Sequence, residues 1–149
     1  MAETLGSLCD KLTIVKLKQY HSEDAARLKS LSLQEKQLCD EIDDYLLGVL
    51  NGNIPNDKLT FEANKVYKKE GNETKDVLGS IAEIFSDLAR INCELWHEVE
   101  KGYEIEKVPT DQKDVLIKQL AILNLQRNKC IDAINKNLQT MVSSLHGEA

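Results

Sequence analysis

The sequence predicts an all-α protein, an elongated antiparallel, up-and-down bundle of three to four long helices. Three observations carry that prediction. Apolar residues recur at steps of three, four and seven through most of the chain, the spacing of one helix face. Two prolines and seven glycines punctuate 149 residues, and aromatic residues make up 5%, a scarcity that disfavours a β-sandwich. No segment competes with strand-like alternation.

The first helical stretch runs from about Thr4 to Leu50, with a break or bend expected near His21–Asp24 or around Ser30–Ser32. Its second half carries the ladder Leu28, Leu31, Leu38, Ile42, Tyr45 and Val49. Turn residues and a proline close it at 51–57. Residues Asp57 to Lys68 are expected to add a short helical arm, followed by a loop over 68–73. A second long helix then runs from Asn72 or Glu73 to Ile105 through Val77, Ile81, Ile84, Leu88, Ile91, Leu95 and Val99. A loop at 106–110 ends it, with Thr110 expected to cap the last helix. That helix reaches about Leu145 through Leu116, Leu120, Leu123, Cys130, Ile134, Leu138 and Met141.

Helices of about 35 residues span about 50 Å, and short connections make neighbours antiparallel. A chain of this length buries roughly two-thirds of its unfolded surface as one domain, here residues 1–149, without a disulfide or metal. Leu5, Leu8 and Leu12 lie on one side of the first helix, with Ile14 and Leu17 nearly opposite. Apolar residues on two faces predict a homodimer.

A net charge of -6 disfavours nucleic acid as a partner. No apolar run is long enough for a membrane span and no export signal is recognisable, so neither membrane association nor secretion is expected. Cys9, Cys39, Cys93 and Cys130 stand far apart, with no paired zinc-ligand spacing. They read as reduced thiols of a cytoplasmic protein. No cofactor motif and no catalytic residue is identifiable: P-loop, dinucleotide-binding and nucleophile-elbow patterns are missing.

The segment Ile91–Lys101 holds the single tryptophan and the unit Glu94-Leu95-Trp96-His97. Glu-x-x-His is the unit with which helical bundles hold two iron ions, but such a centre needs it turned inward, with a counterpart. With 100° per residue, Glu94 and His97 fall about 120° and about 180° from the Leu88 stripe, pointing away from the core. The corresponding residues before His21 supply no acid. No metal site is expected, and Trp96 reads as a packing residue.

Some polar residues instead fall where apolar ones belong. Arg127 sits in the stripe of the last helix and Asn124 is one turn away. Asn92 lies in the stripe of the middle helix, Glu35 interrupts the Leu31–Leu38 ladder, and Lys16 shares a side with Leu5, Cys9 and Leu12. A buried charge requires a partner. Three readings follow: Arg127 pairs with Glu35 while Asn92 takes up the remaining donors; Arg127 and Lys16 form a site for a small anionic ligand; or the stripes are rotated from this placement and these residues are exposed.

Leu5–His21, Leu88–Lys101 and Leu120–Leu138 together resemble an uncharacterised family of small bacterial helical proteins. Gly6, Leu8, Asp10, Lys11, Leu12, Thr13 and Ile14 match its first motif as they stand; Asn92, Trp96, Arg127 and Asn135 match later ones. Ser7 replaces an acidic residue, and Glu98-Val99-Glu100 replaces a Glu-Asp pair. The resemblance implies family-type positions without assigned roles. It also implies a link to surface-polysaccharide or sugar metabolism, through the glycosyltransferase genes that accompany the family. A second, partial resemblance is to MazG-type nucleotide pyrophosphohydrolases, which hold magnesium with clustered acids. Asp40-Glu41-Ile42-Asp43-Asp44 has the acid density, but Glu83 and Asp87 are spaced by four rather than three. The leading expectation is a non-catalytic binding or accessory protein, with magnesium-dependent hydrolysis as the alternative.

Overall fold

A computed structural model describes residues 2–61 and 77–146. Four α-helices dominate them: α1 (Leu5–Tyr20), α2 (Ala25–Leu50), α3 (Ile81–Tyr103) and α4 (Thr110–Leu145). Single 3-10 turns follow α2 (Asn56–Lys58) and α3 (Ile105–Lys107), and there is no strand among the described residues. The expected all-α class is therefore found.

Local chemistry fixes the boundaries. Thr4 and Ser7 form a reciprocal capping box at the start of α1: Ser7 N donates to Thr4 Oγ1 at 3.3 Å and Thr4 N to Ser7 Oγ at 2.8 Å. Of the two expected breaks, the chain uses the first. The Asp24 side chain accepts from Arg27 N at 2.8 Å and starts α2, whereas Ser30–Ser32 continue the helix unbroken. The middle helix begins later than its apolar ladder suggests. Asn72 and Glu73 lie outside the described residues, but 77–80 are not helical, and Ser80 with Glu83 forms a second capping box, both bonds 3.2 Å. Gly79 before it has φ +123°, a conformation that stops a helix from extending backwards. Val77 still packs against the core, so the ladder continued beyond the helix. Of the arm expected from Asp57, the described part is only the 3-10 turn; the rest, and the loop at 68–73, lies outside the described residues. Thr110 is the first residue of α4 rather than its cap. Pro109 holds the cap position without a side-chain bond, its ring fixing φ near the helical value, at -54°.

Contacts set the register. Gly6 meets Asn135 and Asp10 meets Arg127, so α1 and α4 run antiparallel. Asn137 Nδ2 donates to the Gly79 carbonyl before α3, so α3 and α4 are antiparallel as well. Lys16 and Gln19 meet Glu35 just beyond the short α1–α2 turn. The bundle is thus up-down-up-down. The turn after α2 docks on the far end of α4, with Asn56 Nδ2 to Ser143 Oγ at 2.9 Å and Gln139 Nε2 to the Asn56 carbonyl at 3.0 Å.

Helix α1 is the hub, touching α2, α3 and α4. Leu8, Val15, Leu31 and Leu38 fill its seam with α2. Leu5 and Cys9 join the larger core of Ile84, Leu88, Ile91, Leu95, Leu123, Cys130, Ile134 and Leu138. Of the two α1 faces that carried the expectation of a homodimer, Leu5, Leu8 and Leu12 pack within the chain, whereas Ile14 and Leu17 are half-buried and line clefts.

Candidate functional site

The hub position of α1 buries polar groups as well as apolar ones. Asp10 is 6% exposed and Thr13 8%. Three residues apart, they share a helix face. Arg127, reaching across from α4, clasps Asp10 with both branches: Nε donates to Oδ1 at 2.8 Å and Nη2 to Oδ2 at 2.5 Å. This planar fork on a carboxylate is the strong form of an ion pair. The Asp10 bond raises the Arg127 pKa above its ordinary value, against the opposing effect of burial.

Asn92 on α3 completes the group. Its Nδ2 donates to Asp10 Oδ1 at 2.9 Å and to Thr13 Oγ1 at 2.7 Å, while Thr13 Oγ1 donates to the Asp10 carbonyl at 2.7 Å. Three helices are thereby tied through one carboxylate. Both amide hydrogens of Asn92 are engaged, but its Oδ1, in a residue 1% exposed, has no hydrogen-bond partner among the described residues. Leaving a buried acceptor unmet costs about 1–3 kcal/mol.

Above this group lies a cleft of about 390 Å³ between α1, α3 and α4. Ile14, Leu95, Val99 and Leu120 give it apolar walls; Asn92, Trp96, Asn124 and Arg127 add polar groups, with Glu100 and Tyr103 also lining it. Trp96 Nε1 is likewise buried without a partner among the described residues, as are Tyr45 Oη, Asn56 Oδ1 and Thr60 Oγ1 away from the cleft. The Trp96 ring is held by His21, stacked on it at 4.8 Å between centroids and 9° between planes, with His97 edge-on to His21 at 6.4 Å.

The site residues expected from sequence therefore divide. Asn92 and Arg127 each bond to Asp10 Oδ1, so the partner of Arg127 is Asp10, not Glu35. Glu35 is level with Lys16, six residues or about 9 Å further along α1 than Asp10, and so out of step with Arg127. It accepts from Lys16 Nζ at 3.1 Å and from Gln19 Nε2 at 2.7 Å. The Gln19 bond, then the Lys16 bond, lowers its pKa. Lys16 is exposed rather than buried, and so is Asn124 at the edge of the cleft. Both cations on which an anionic ligand rested are thus already matched by carboxylates. Of the signature positions, Lys11 pairs with Glu3 at the surface. Asn135, 3% exposed, accepts from Gly6 N at 2.7 Å where α1 and α4 come closest.

Glu94 forms an exposed ion pair with Arg90 at 2.7 Å and His97 is exposed, so the Glu-x-x-His unit faces outward. Three acids of the MazG-type resemblance are engaged singly at the surface: Asp40 with Lys36, Glu41 with Gln37, and Glu83 in the α3 cap. Among the described residues, no group of three or more His, Cys, Asp or Glu is placed to hold a metal ion. None of the helices among the described residues is long and apolar enough to cross a membrane.

No family model matches the chain, and no curated protein or solved structure matches it.

Thr13 and the central role of Asp10 escaped the sequence reading. Asp10 falls about 140° from Leu5 on the helical wheel, on the face shared with Ile14 and Leu17. A helix apolar on nearly every face is surrounded, and that signal places Asp10 inside.

Proposed function

We propose that this protein is a non-catalytic binding protein that holds a small molecule in the cleft between α1, α3 and α4. One observation carries the reading: Asn92 is locked in place by Asp10 and Thr13, yet its Oδ1 is left without a partner where Asn92 lines the cleft. Buried polar groups are paired in the great majority of cases, and a network needed only to set helix register gains nothing from an unmet acceptor. An apolar cleft of about 390 Å³ with a few convergent polar groups is of a size for a small organic ligand.

Native mass spectrometry of gently purified protein tests this directly. The expected result is a small molecule retained by the native chain and lost from Val99→Phe, which places a larger side chain in the cleft and whose helical circular dichroism should match the native chain. A clean apo spectrum, together with no chemical-shift response at the cleft to a fragment library, would remove the reading.

A cytoplasmic setting is favoured by the four free thiols, two of them exposed. Dimerisation is supported by the apolar residues that α2 leaves exposed, Leu33, Leu47 and Leu50, and sedimentation would report it. A role in surface-polysaccharide or sugar metabolism is supported by the resemblance of three segments.

A further inference from the structure

We propose that the ligand of this cleft is uncharged and presents a hydrogen-bond donor beside an acceptor, as an amide or a pair of neighbouring hydroxyls does, on an apolar body. This rests on the reading of the cleft as a binding site and specifies what it selects.

Charge balance is the first argument. Arg127 commits two nitrogens to Asp10, and that pair is neutral overall. Lys16 is matched by Glu35 outside the cleft. The remaining ionisable lining groups are Glu100, which repels anions, and the phenol of Tyr103. An anion therefore meets no unmatched cation here. A cation would find Glu100 but would leave Trp96 Nε1 facing another donor.

The polarity of the two unmet atoms is the second argument. Asn92 Oδ1 accepts only, and Trp96 Nε1 donates only. They belong to residues four apart on α3, which are neighbours on one helix face. Satisfying both takes a donor and an acceptor a few ångströms apart in the ligand. A carboxylate offers acceptors alone and an ammonium donors alone. An amide supplies both from one group, and two adjacent hydroxyls do the same. Both protein atoms are shielded by neighbouring side chains, so the ligand reaches them by displacing one of those. The walls of Ile14, Leu95, Val99 and Leu120 then take its apolar part.

Probes of one shape and different charge test the class. Benzamide, benzoate and benzylamine share a ring and differ in donors, acceptors and charge; trans-1,2-cyclohexanediol represents the hydroxyl source. The chain has one tryptophan, so a single indole N–H resonance reports on the site. Titrations by NMR should show benzamide or the diol shifting the Trp96 Nε1–H and Asn92 Nδ2 resonances at least tenfold more tightly than benzoate or benzylamine. Both responses should vanish in Val99→Phe, which keeps Trp96 as the single indole. Whichever of benzamide and the diol binds more tightly identifies the source of the pair. If benzoate or benzylamine binds as well as the neutral probes, the cleft stands as a site but the class is wrong. If no probe shifts either resonance and no small molecule is retained on purification, both readings fall.

Discussion

Two ion pairs tie α1 to its neighbours, and they could hardly be placed more differently. The inner one, Asp10–Arg127, joins α1 to α4 through a two-pronged clasp, with the Asp10 side chain 8% exposed and Arg127 at 31%. The outer one, Lys16–Glu35, joins α1 to α2 through a single 3.1 Å contact, with 58% and 34% exposed. Water screens the outer pair and competes for both partners, so it contributes little. The inner pair is shielded and shares its carboxylate with Asn92, so losing one member strands the others. Similar chemistry thus does different work: the outer pair decorates a seam, whereas the inner one organises three helices and the floor of a cleft.

Breaking the inner group should have the largest effect. Asp10→Ala leaves the guanidinium and one Asn92 amide hydrogen short of acceptors, and we expect a loss on the order of 3 kcal/mol in denaturant unfolding. Asp10→Leu combined with Arg127→Met removes both charges and should recover most of it, because a shape-filling apolar pair has no buried charge to compensate. A loss below about 1 kcal/mol for the single variant would mean that the inner pair is no stronger than the outer one.

The same seam can be broken sterically. A Cβ at Gly6 would lie 2.4 Å from the Ile131 carbonyl oxygen and 2.9 Å from Asn135 Oδ1, so backbone must move. Gly6→Ala should cost about 1–3 kcal/mol through this overpacking and the strained Gly6–Asn135 bond. Gly102→Ala provides the contrast in α3, since nothing stands within 4 Å of its Cβ. There the exchange should stabilise by about 0.5–1 kcal/mol through helix propensity.

Thiol reactivity separates inside from outside in a third way. Burial raises both Cys9 and Cys130 to about 11, whereas Cys39 and Cys93 are exposed. Because the thiolate is the reactive form, two raised units cut its fraction about 100-fold before access is counted. Alkylation at neutral pH should modify two cysteines quickly and the other two only on unfolding. Mass-mapped labelling of Cys130 at the rate of Cys39 would show that the inner seam opens.

How much of this was legible in the chain depends on whether a feature is periodic or relational. Apolar ladders such as Leu88–Ile91–Leu95 reveal a helix and its buried face because the helical repeat is local geometry. The inward placement of Asn92 and Arg127 follows from the same geometry. Which acid meets Arg127 does not, because that depends on how far α4 slides along α1, and Gly6 sets this by allowing close approach near Asn135. The start of α3 was misjudged for a related reason: Val77 packs as if on the helix, but Gly79 and the Ser80 cap end it first. The stacking of His21 on Trp96 joins residues far apart in sequence, so nothing local announces it.

The smallest expected effect belongs to the outer pair and is best seen through pH. The bonds from Gln19 and Lys16 hold the Glu35 pKa below its ordinary 4.5. In the unfolded chain the carboxylate has lost these partners and takes up a proton first as pH falls. Its contribution is therefore present above 4.5 and disappears as pH drops through the lowered folded value. Glu35→Gln should match the native chain in unfolding midpoint near pH 7 within the small margin of an exposed pair, and the difference should vanish in strong acid. Added salt should shrink the neutral-pH difference as well, since exposed charges are screened. A Glu35→Gln variant as unstable as Asp10→Ala would overturn the division between the seams, because it would mean that α2 is clamped to α1 by charge rather than by Leu8, Val15, Leu31 and Leu38.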